Sequence, residues 1–480
     1  MDSKVNTAKA DREDIFSQNC EFELPLVFAA AHGDVAWVNE LLERGEDANQ
    51  CETDGHTPLI AVCQTSKCEA EDRKMIVRLL LMQSSNPLQL DVATNKGLTP
   101  LKAAVWQQDA DLVSLLLQHG CDVNFCGEAS SVTPLMYAVV HGDDNYPVVK
   151  VLLEAGALVN LQDSEGWSAL MLAARADGLA VAHELVRRAA QPSLQALGQY
   201  SGWTALMFAA RAGSAEMCKL LLGTLMAESN FSSNSSGGRA SSSLEDPGGL
   251  GRAFAAACVR GHLGVVKVLL AAGFLGMHAV CDEIASGRAL NAAATHGHVD
   301  IVTELLAASL GWAETLGVGI DAKDAQGWTA LLAACEYGHQ ECAELLVDSG
   351  ADIHVADQHG CSPLMAAAAH NHAEIVGILL DAGADANYID DDGWTALMVA
   401  SESGGAHSVK VLLNNGACHG IKNRNGQDAI QLATKLGNLS VLNEFLRFNR
   451  GENEDDEDNL LDVLEDDCAN PTEKPRSSEF

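Results

Sequence analysis

The sequence predicts an all-α solenoid, in which short pairs of helices stack on one another along the chain. A phrase of eight residues recurs at a spacing of 33, and its clearest copies begin at Gly327, Gly360 and Gly393. Each copy is followed by a second apolar stretch that ends in a glycine. Recurrence at such a period is typical of repeat proteins, whose units bury their apolar surface only against neighbouring units.

Length and composition agree with an array. The chain has 480 residues, of which 47% are hydrophobic, 5% aromatic and 20% charged. A chain of this length exceeds what one hydrophobic core supports, and a chain this apolar is not mostly disordered. Several domains or one extended array are therefore expected.

The first helix of each unit has a recognisable start. Thr and Ser are good N-caps, and Pro suits the first helical position because it leaves no N–H unpaired there. Leucine and alanine then follow on one face, and the small alanines allow a neighbouring helix to approach closely. The pairs that predict these starts are Thr57-Pro58, Thr99-Pro100, Thr133-Pro134 and Ser362-Pro363.

The second helix follows a glycine break. In one unit, Gly261 precedes the apolar stretch 265–270. Gly273 then stands where the helix should end, in the left-handed conformation that glycine tolerates. Two helices and a turn cannot bury their apolar faces alone, so the units must stack.

These residues resemble the ankyrin repeat, whose pattern is D-x-x-G-x-T-P-L-H-x-A-A-x-x-G-H-x-x-V-V-x-L-L-L-x-x-G-A-D-x-N. The resemblance covers residues 24–450 in about twelve units. It implies helix pairs joined by β-hairpin or turn connections, and a non-enzymatic function in binding proteins. The family's His after T-P-L is replaced, for example by Ile60, Lys102 and Met136. Loss of that side-chain hydrogen bond is expected to loosen the individual units.

Departures from the pattern divide the chain into segments. Arg252 and Arg288 stand where the capping Thr belongs, which marks two atypical repeats. These are either degenerate repeats in a tolerant solenoid or a hinge between two sub-arrays. The predicted segments are 1–23, an N-terminal cap or flexible segment; 24–228, N-terminal repeats; 229–249, a Ser/Gly-rich loop; 250–308, the atypical repeats; 309–323, an insertion; 324–450, acidic C-terminal repeats; and 451–480, a disordered acidic tail.

Two of the segments outside the repeats carry candidate motifs. In the tail, the apolar cluster 460–464 is either a contact that caps the last repeat or a short linear motif. In the Ser/Gly-rich loop, Ser242 and Ser243 each stand three residues before an acid and are candidate phosphorylation sites.

The charge balance narrows the class of partner. Thirty Lys and Arg against 66 Asp and Glu leave a formal net charge of −36. Such a chain repels a phosphate backbone or an anionic membrane surface and favours a basic protein. No run of about 18 apolar residues occurs, which is the length that a membrane span needs.

Cysteine usage points to a reducing compartment. The 14 cysteines are scattered, no two form C-x-x-C, and many fall in alanine-rich helical stretches. Small buried thiols are therefore expected, without disulfides or a structural metal. The polar N-terminus lacks an apolar signal region. We expect a monomeric protein of the cytoplasm or the nucleus that binds neither nucleic acid nor membrane.

The motifs of common enzyme classes are absent. The chain lacks the phosphate-binding G-x-x-x-x-G-K-[ST], the nucleophile elbow G-x-S-x-G and the zinc motif H-E-x-x-H. The spacings His296/His298 and His370/His372 suggest a metal in isolation. However, His298 and His372 occupy the family's G-H column, whose imidazole is expected to bond between repeats. A non-enzyme without catalytic residues, cofactor or metal is predicted.

Function is then expected in the exposed columns of the array. In the ankyrin family, residues around the G-x-T glycine and before the inter-helix glycine line the concave side. Large aromatics at half-exposed positions anchor many protein interfaces, although each Trp has the alternative of packing only on its own hairpin. The residues predicted to bind protein are Trp106, Trp167, Trp203, Trp328, Glu336, Tyr337, Asp391, Asp392, Trp394 and Glu402.

The charge of the C-terminal repeats suggests what they bind. Residues 324–409 contain no Lys or Arg, against fourteen Asp or Glu and six His. This surface is either solvated charge that serves solubility or a groove for a Lys/Arg-rich segment. Two functions therefore stay open: a module that holds one basic client, and a multi-client adaptor within a larger assembly.

Overall fold

The structure, a computed structural model, describes residues 24–83, 86–127, 131–188, 202–232, 249–274, 288–312, 319–324 and 327–450. These residues form twelve pairs of α-helices and one 3₁₀ turn. Within them, the connecting turns hold one isolated antiparallel bridge, between Gln162 and Ser168, and no strand. The predicted all-α array of stacked helix pairs is confirmed.

Two compact units divide the chain, residues 1–280 and 281–480. The division falls between the two atypical repeats. In the first unit the described residues hold seven helix pairs, with the 3₁₀ turn Gly142–Asn145 before α8. These pairs are α1 (Pro25–His32) and α2 (Val35–Glu43), α3 (Pro58–Gln64) and α4 (Ala70–Gln83), α5 (Pro100–Trp106) and α6 (Ala110–Gln118), α7 (Pro134–Val139) and α8 (Tyr146–Glu154), α9 (Ala169–Ala176) and α10 (Leu179–Arg187), α11 (Ala205–Ala212) and α12 (Ala215–Ser232), and α13 (Leu250–Arg260) and α14 (Leu263–Phe274).

The second unit holds five helix pairs in its described residues. Each first helix contacts the first helix of the next repeat, and each second helix contacts the next second helix. The pairs are α15 (Arg288–Thr295) and α16 (Val299–Trp312), α17 (Ala330–Tyr337) and α18 (Gln340–Asp348), α19 (Pro363–Ala369) and α20 (Ala373–Asp381), α21 (Ala396–Ser403) and α22 (Ala406–Asn414), and α23 (Ala429–Leu436) and α24 (Leu439–Arg450).

Hydroxyl caps begin most first helices, as predicted. In eight repeats the side-chain oxygen of Thr or Ser accepts a hydrogen bond of 3.1 to 3.4 Å from the N–H three residues further on. Such a cap contributes about 1 kcal/mol to stability. The last repeat uses Asp428 instead, which forms a reciprocal capping box with Gln431. The eight hydroxyl caps are Thr57, Thr99, Thr133, Ser168, Thr204, Thr329, Ser362 and Thr395.

The atypical repeats begin differently. Helix α13 starts at Leu250 after a left-handed Gly249, without a side-chain cap. Arg252 and Arg288 lie in the first turns of α13 and α15, where they cannot act as caps because their side chains offer only donors. In α13, the loss of the cap follows from the loss of Thr at that position.

Three second helices end later than the sequence predicts. Helix α12 continues to Ser232 and α16 to Trp312, past the repeat ends expected at 228 and 308. Gly273, expected to end its helix, lies inside α14. The left-handed glycine expected after the second helix is confirmed at Gly350, Gly383 and Gly416.

In the part of the chain that the structure describes, no helix combines the length and apolar character needed to cross a bilayer.

The position of the family's missing His holds a buried Met in some repeats and a buried Lys in another. Met136 and Met171 are almost completely buried there. Lys102 is also buried, yet its Nζ donates to the carbonyl oxygens of Gly97 at 3.1 Å and Cys126 at 2.7 Å. The expectation that each unit loses a side-chain hydrogen bond at this position is therefore wrong for Lys102.

Two other histidines of the G-H column bond between repeats. The Nε2 of His262 donates to the carbonyl oxygen of Arg211 at 3.1 Å, and that of His339 to Thr295 at 3.0 Å. The facing glycine must lack a side chain, since a Cβ on Gly297 would lie 2.5 Å from the His339 ring.

Among the described residues, no group of three or more His, Cys, Asp or Glu is placed to hold a metal ion.

Six of the eleven described cysteines are buried, and none of the eleven forms a disulfide. Burial raises the pKa of Cys218 to about 12 and that of Cys342 to about 11. These thiols stay protonated at neutral pH and pack as small apolar groups. Cys51 and Cys418 differ from the prediction, because both are exposed in connections between helix pairs.

Replacing Gly297 with Ala should destabilise the second unit more than replacing Gly350 with Ala. Both glycines have positive φ, so both substitutions carry a backbone cost of about 1–2 kcal/mol. Only Gly297 faces a ring, whereas a Cβ on Gly350 meets nothing within 4 Å. Thermal unfolding of both variants measures the difference. Adding His339→Ala to Gly297→Ala should cancel part of the excess loss, and equal losses in the two single variants would contradict the role of the His339 contact.

Candidate functional site

Stacking buries most of each first helix. In the eight repeats with a hydroxyl cap, the residues one, two, three, five and six positions after the cap are all buried. The residues one position before the cap, four after it and seven after it reach solvent wherever their side chains are large. We call these three positions the first-helix stripe. Its members seven after the cap are Gln64, Trp106, Val140, Arg175, Arg211, Glu336, Ala369 and Glu402.

An aspartate fixes the turn that places Trp at the start of the stripe. In three repeats the Asp N–H donates to the carbonyl of the Trp four residues further on. The Asp carboxylate accepts the N–H of the same Trp at 2.7 or 2.8 Å. The same backbone turn therefore positions these predicted Trp residues in both units. The pairs are Asp163 with Trp167, Asp324 with Trp328, and Asp390 with Trp394.

Two predicted tryptophans of the first unit meet at one cleft. The Trp167 and Trp203 rings lie 4.7 Å and 5.2 Å from the ring of Phe208, measured between centroids. Arg175 stands over Trp167 and Arg211 over Trp203, each with its guanidinium carbon 5.4 Å from the ring centroid. Together they line a cleft of about 540 Å³.

Trp106 belongs to a separate group in the first unit. Its side chain is 52% exposed and its ring lies 5.6 Å from Tyr137 and 4.8 Å from His141. Tyr137, like Phe208, occupies the stripe position four after the cap, and sequence reasoning missed both. The signal was present, since four of the other six repeats with a hydroxyl cap carry Ala at this position.

In the second unit, aromatic and acidic side chains lie on the stripe or directly beside it. The Trp328 and Tyr337 rings lie 6.2 Å apart, within the range of favourable aromatic pairs. Tyr337 is 54% exposed. The neighbouring Glu336 accepts a hydrogen bond from His370 Nε2 of the next repeat at 3.0 Å, which orients its carboxylate.

The next acidic group lies two repeats further on. Asp391 and Glu402 are exposed, and Trp394 between them is half-buried. Asp392 forms an ion pair of 3.2 Å with Arg424, and both side chains are largely exposed. Sequence reasoning missed Arg424, which lies outside residues 324–409 and supplies Asp392 with a cation that this span itself lacks. An exposed pair of this kind contributes only about 0–1 kcal/mol.

The predicted residues thus form four neighbourhoods along two units. Trp106 forms one, Trp167 with Trp203 another, and Trp328 with Glu336 and Tyr337 a third. The fourth neighbourhood lies on one turn and on the helix α21 that follows it, and it comprises Asp391, Asp392, Trp394 and Glu402. The phosphorylation candidates Ser242 and Ser243, and the tail 451–480, lie outside the described residues.

Comparison with known proteins agrees with the helix-pair architecture. The family described as "Ankyrin repeats (3 copies)" matches the chain six times, at residues 26–126, 73–163, 135–234, 253–357, 307–390 and 364–458. Ankyrin repeats are a non-catalytic fold that mediates protein–protein interaction.

Several curated proteins are similar over part of the chain. A B-cell lymphoma 3 protein homolog of Mus musculus is 34% identical over 27% of this chain and 28% of its own length. The glycerophosphocholine phosphodiesterase gde1 of Schizosaccharomyces pombe is 34% identical over 31% of this chain and 12% of its own length. The nuclear factor NF-kappa-B p105 subunit of Gallus gallus is 29% identical over 33% and 15%.

The chain therefore spans less than a third of the length of each of these relatives, and one of them is named as an enzyme. The family matches, in contrast, extend over 26–234 and 253–458, which is most of the chain. They coincide with the described helix pairs and their hydroxyl caps. The chain belongs to the ankyrin repeat family and is a protein–protein interaction module.

Proposed function

We propose that this protein is a non-enzymatic module that holds a Lys/Arg-rich segment of a client protein on the concave face of its C-terminal repeats. One observation carries the proposal: two repeats of the second unit place a Trp one position before the cap and a Glu seven positions after it, in a span that contains no Lys or Arg. Cation–π contacts and charge-assisted hydrogen bonds both favour a basic ligand there.

Each acidic–aromatic group offers a cation two kinds of contact. Trp328 and Tyr337 present ring faces, and Glu336 stands beside Tyr337 with one carboxylate oxygen held by His370. A guanidinium of the client that stacks on Tyr337 is then within one residue of a carboxylate. Trp394 and Glu402 repeat this combination of a ring and a carboxylate, and Glu402 lies seven positions after the cap of its repeat.

The pair between Asp392 and Arg424 supports the same chemistry. Arg424 shows that this turn accommodates a guanidinium at 3.2 Å from a carboxylate oxygen. Because the pair is exposed and weak, a client arginine competes with Arg424 at little energetic cost. Asp391, next to it, is exposed and forms no ion pair among the described residues.

The names of two relatives state no client, but one of them points to the nucleus. They are similar to this chain and are named a nuclear factor subunit and a lymphoma protein homolog. A client whose basic segment is a nuclear-localisation signal would be retained by being covered. We propose a monomer in the cytoplasm or nucleus for this role, without nucleic acid, membrane or cofactor.

The alternative function is a multi-client adaptor. It is favoured by the change of charge along the stripe, which carries Arg175 and Arg211 in the first unit but Glu336 and Glu402 in the second. Affinity purification at low and high salt, with full-length protein and with a variant ending at 450, separates the functions. A single basic client lost at high salt supports the first, and several salt-insensitive clients support the second.

Replacing Trp328 and Trp394 together with Ala should weaken binding of a Lys/Arg-rich peptide by about 2 kcal/mol or more, because buried aromatic anchors dominate binding energy. Isothermal titration calorimetry with a synthetic peptide measures the change. Trp106→Ala is the matched control, since it removes an exposed Trp of the first unit. All variants must keep native helicity by circular dichroism. An unchanged affinity in the double variant would remove the aromatic part of the proposal.

Replacing Asp391 and Asp392 with Asn should act mainly on the association rate and its salt dependence, because exposed charges steer encounter more than they hold the complex. Stopped-flow binding of the same peptide at several salt concentrations gives both quantities. The control is Glu341→Gln with Asp348→Asn, which removes equal charge from exposed positions of α18. Equal rate losses in the two variants would indicate general charge attraction and contradict a local site.

A further inference from the structure

The cleft of the first unit has the opposite chemistry to the stripe of the second. We propose that this cleft binds an acidic segment of a protein partner. Arg175 and Arg211 would each receive a carboxylate of the segment. An apolar side chain between those carboxylates would enter the space among Trp167, Trp203 and Phe208.

The two arginines are held in place by the tryptophans. Each guanidinium carbon lies 5.4 Å from the ring centroid of the Trp in its own repeat, within the range of cation–π contacts. A cation–π contact does not use up the guanidinium N–H groups, and a carboxylate can bind these with two parallel hydrogen bonds. Arg175 and Arg211 are exposed, so these donors are accessible.

Neither arginine has an acidic partner among the described residues, although the chain carries 66 acids against 30 bases. Other cations of the same unit behave differently. Arg188, for example, lies 3.1 Å from Glu184. Two cations that contact Trp rings in so acidic a protein form a local positive site, and charge complementarity then selects an acidic ligand.

The shape of the cleft adds an apolar requirement. Its volume of about 540 Å³ is within the range of sites that accommodate one or two large side chains. Phe208 lies within 4.7 and 5.2 Å of the two Trp rings, so the cleft has an aromatic wall between its two positive rims. A ligand that alternates acidic and large apolar residues satisfies both features.

A protein is favoured over a nucleic acid as the source of the negative charge. The net charge of −36 repels a phosphate backbone over its whole length, whereas a short acidic segment meets only the local site. This inference is independent of the proposed basic client, because it concerns other residues and a ligand of opposite charge.

The test uses full-length protein and a fluorescein-labelled peptide in which glutamates flank a central phenylalanine. Fluorescence anisotropy should show saturable binding. The double substitution Arg175→Gln, Arg211→Gln should weaken it at least ~10-fold, because charge-assisted hydrogen bonds are lost. Phe208→Ala should weaken it too, whereas Arg78→Gln, which removes an exposed arginine of α4, should not. Lysine at both arginine positions should restore affinity only in part, since Lys cannot form the bidentate pair.

Three outcomes would overturn the inference. The first is that the acidic peptide shows no saturable binding to the natural protein. The second is that the arginine double variant and Arg78→Gln lose equal affinity for the peptide. The third is that single-stranded DNA binds more tightly than the peptide and that the arginine double variant abolishes this binding. The Trp328→Ala, Trp394→Ala variant should bind the acidic peptide normally. Loss of basic-peptide binding alone in that variant shows that the two sites succeed or fail separately.

Discussion

The burial of each first helix against its neighbours is the interaction on which the other features depend. One helix pair cannot cover its own apolar face, so the buried positions after every cap are committed to stacking. Alanine dominates many of them, and it allows the close approach that the helices need. The stripe positions that remain are the part of each first helix where side chains vary freely in size and charge. Function is therefore restricted by packing to a narrow set of positions.

Sequence periodicity predicts the committed positions well, because they repeat. Caps, helix pairs and the Trp column all follow from local residue chemistry, and the structure places them as expected. The missed residues have a different origin. Phe208 and Tyr137 occupy a position that is alanine in four of the other six repeats with a hydroxyl cap, so the pattern directs attention away from it. Arg424 and the Lys102 carbonyl contacts depend on which turns of adjacent repeats meet, and this information is not local in the sequence.

Electrostatics distinguishes repeats that packing makes alike. The stripe position seven after the cap is Arg in two repeats of the first unit and Glu in two repeats of the second. The Trp one position before the cap is the same in all four. A resident cation lies over the ring in two repeats of the first unit. Under the proposed function, the rings of the second unit would instead receive a cation of the client.

Nearest-neighbour stacking explains how one chain tolerates both chemistries. Each repeat contacts only adjacent repeats, so a change of stripe charge alters binding locally without altering the buried positions that hold the array together. The long-range field is still shared, because a net charge of −36 acts on every ligand that approaches. A basic ligand at the proposed site would be attracted by the whole chain and by that site, whereas an acidic ligand would obtain its affinity from Arg175, Arg211 and the aromatic cleft against the general field. Added salt should therefore weaken the first interaction more than the second, since screening removes a favourable field in one case and an unfavourable field in the other.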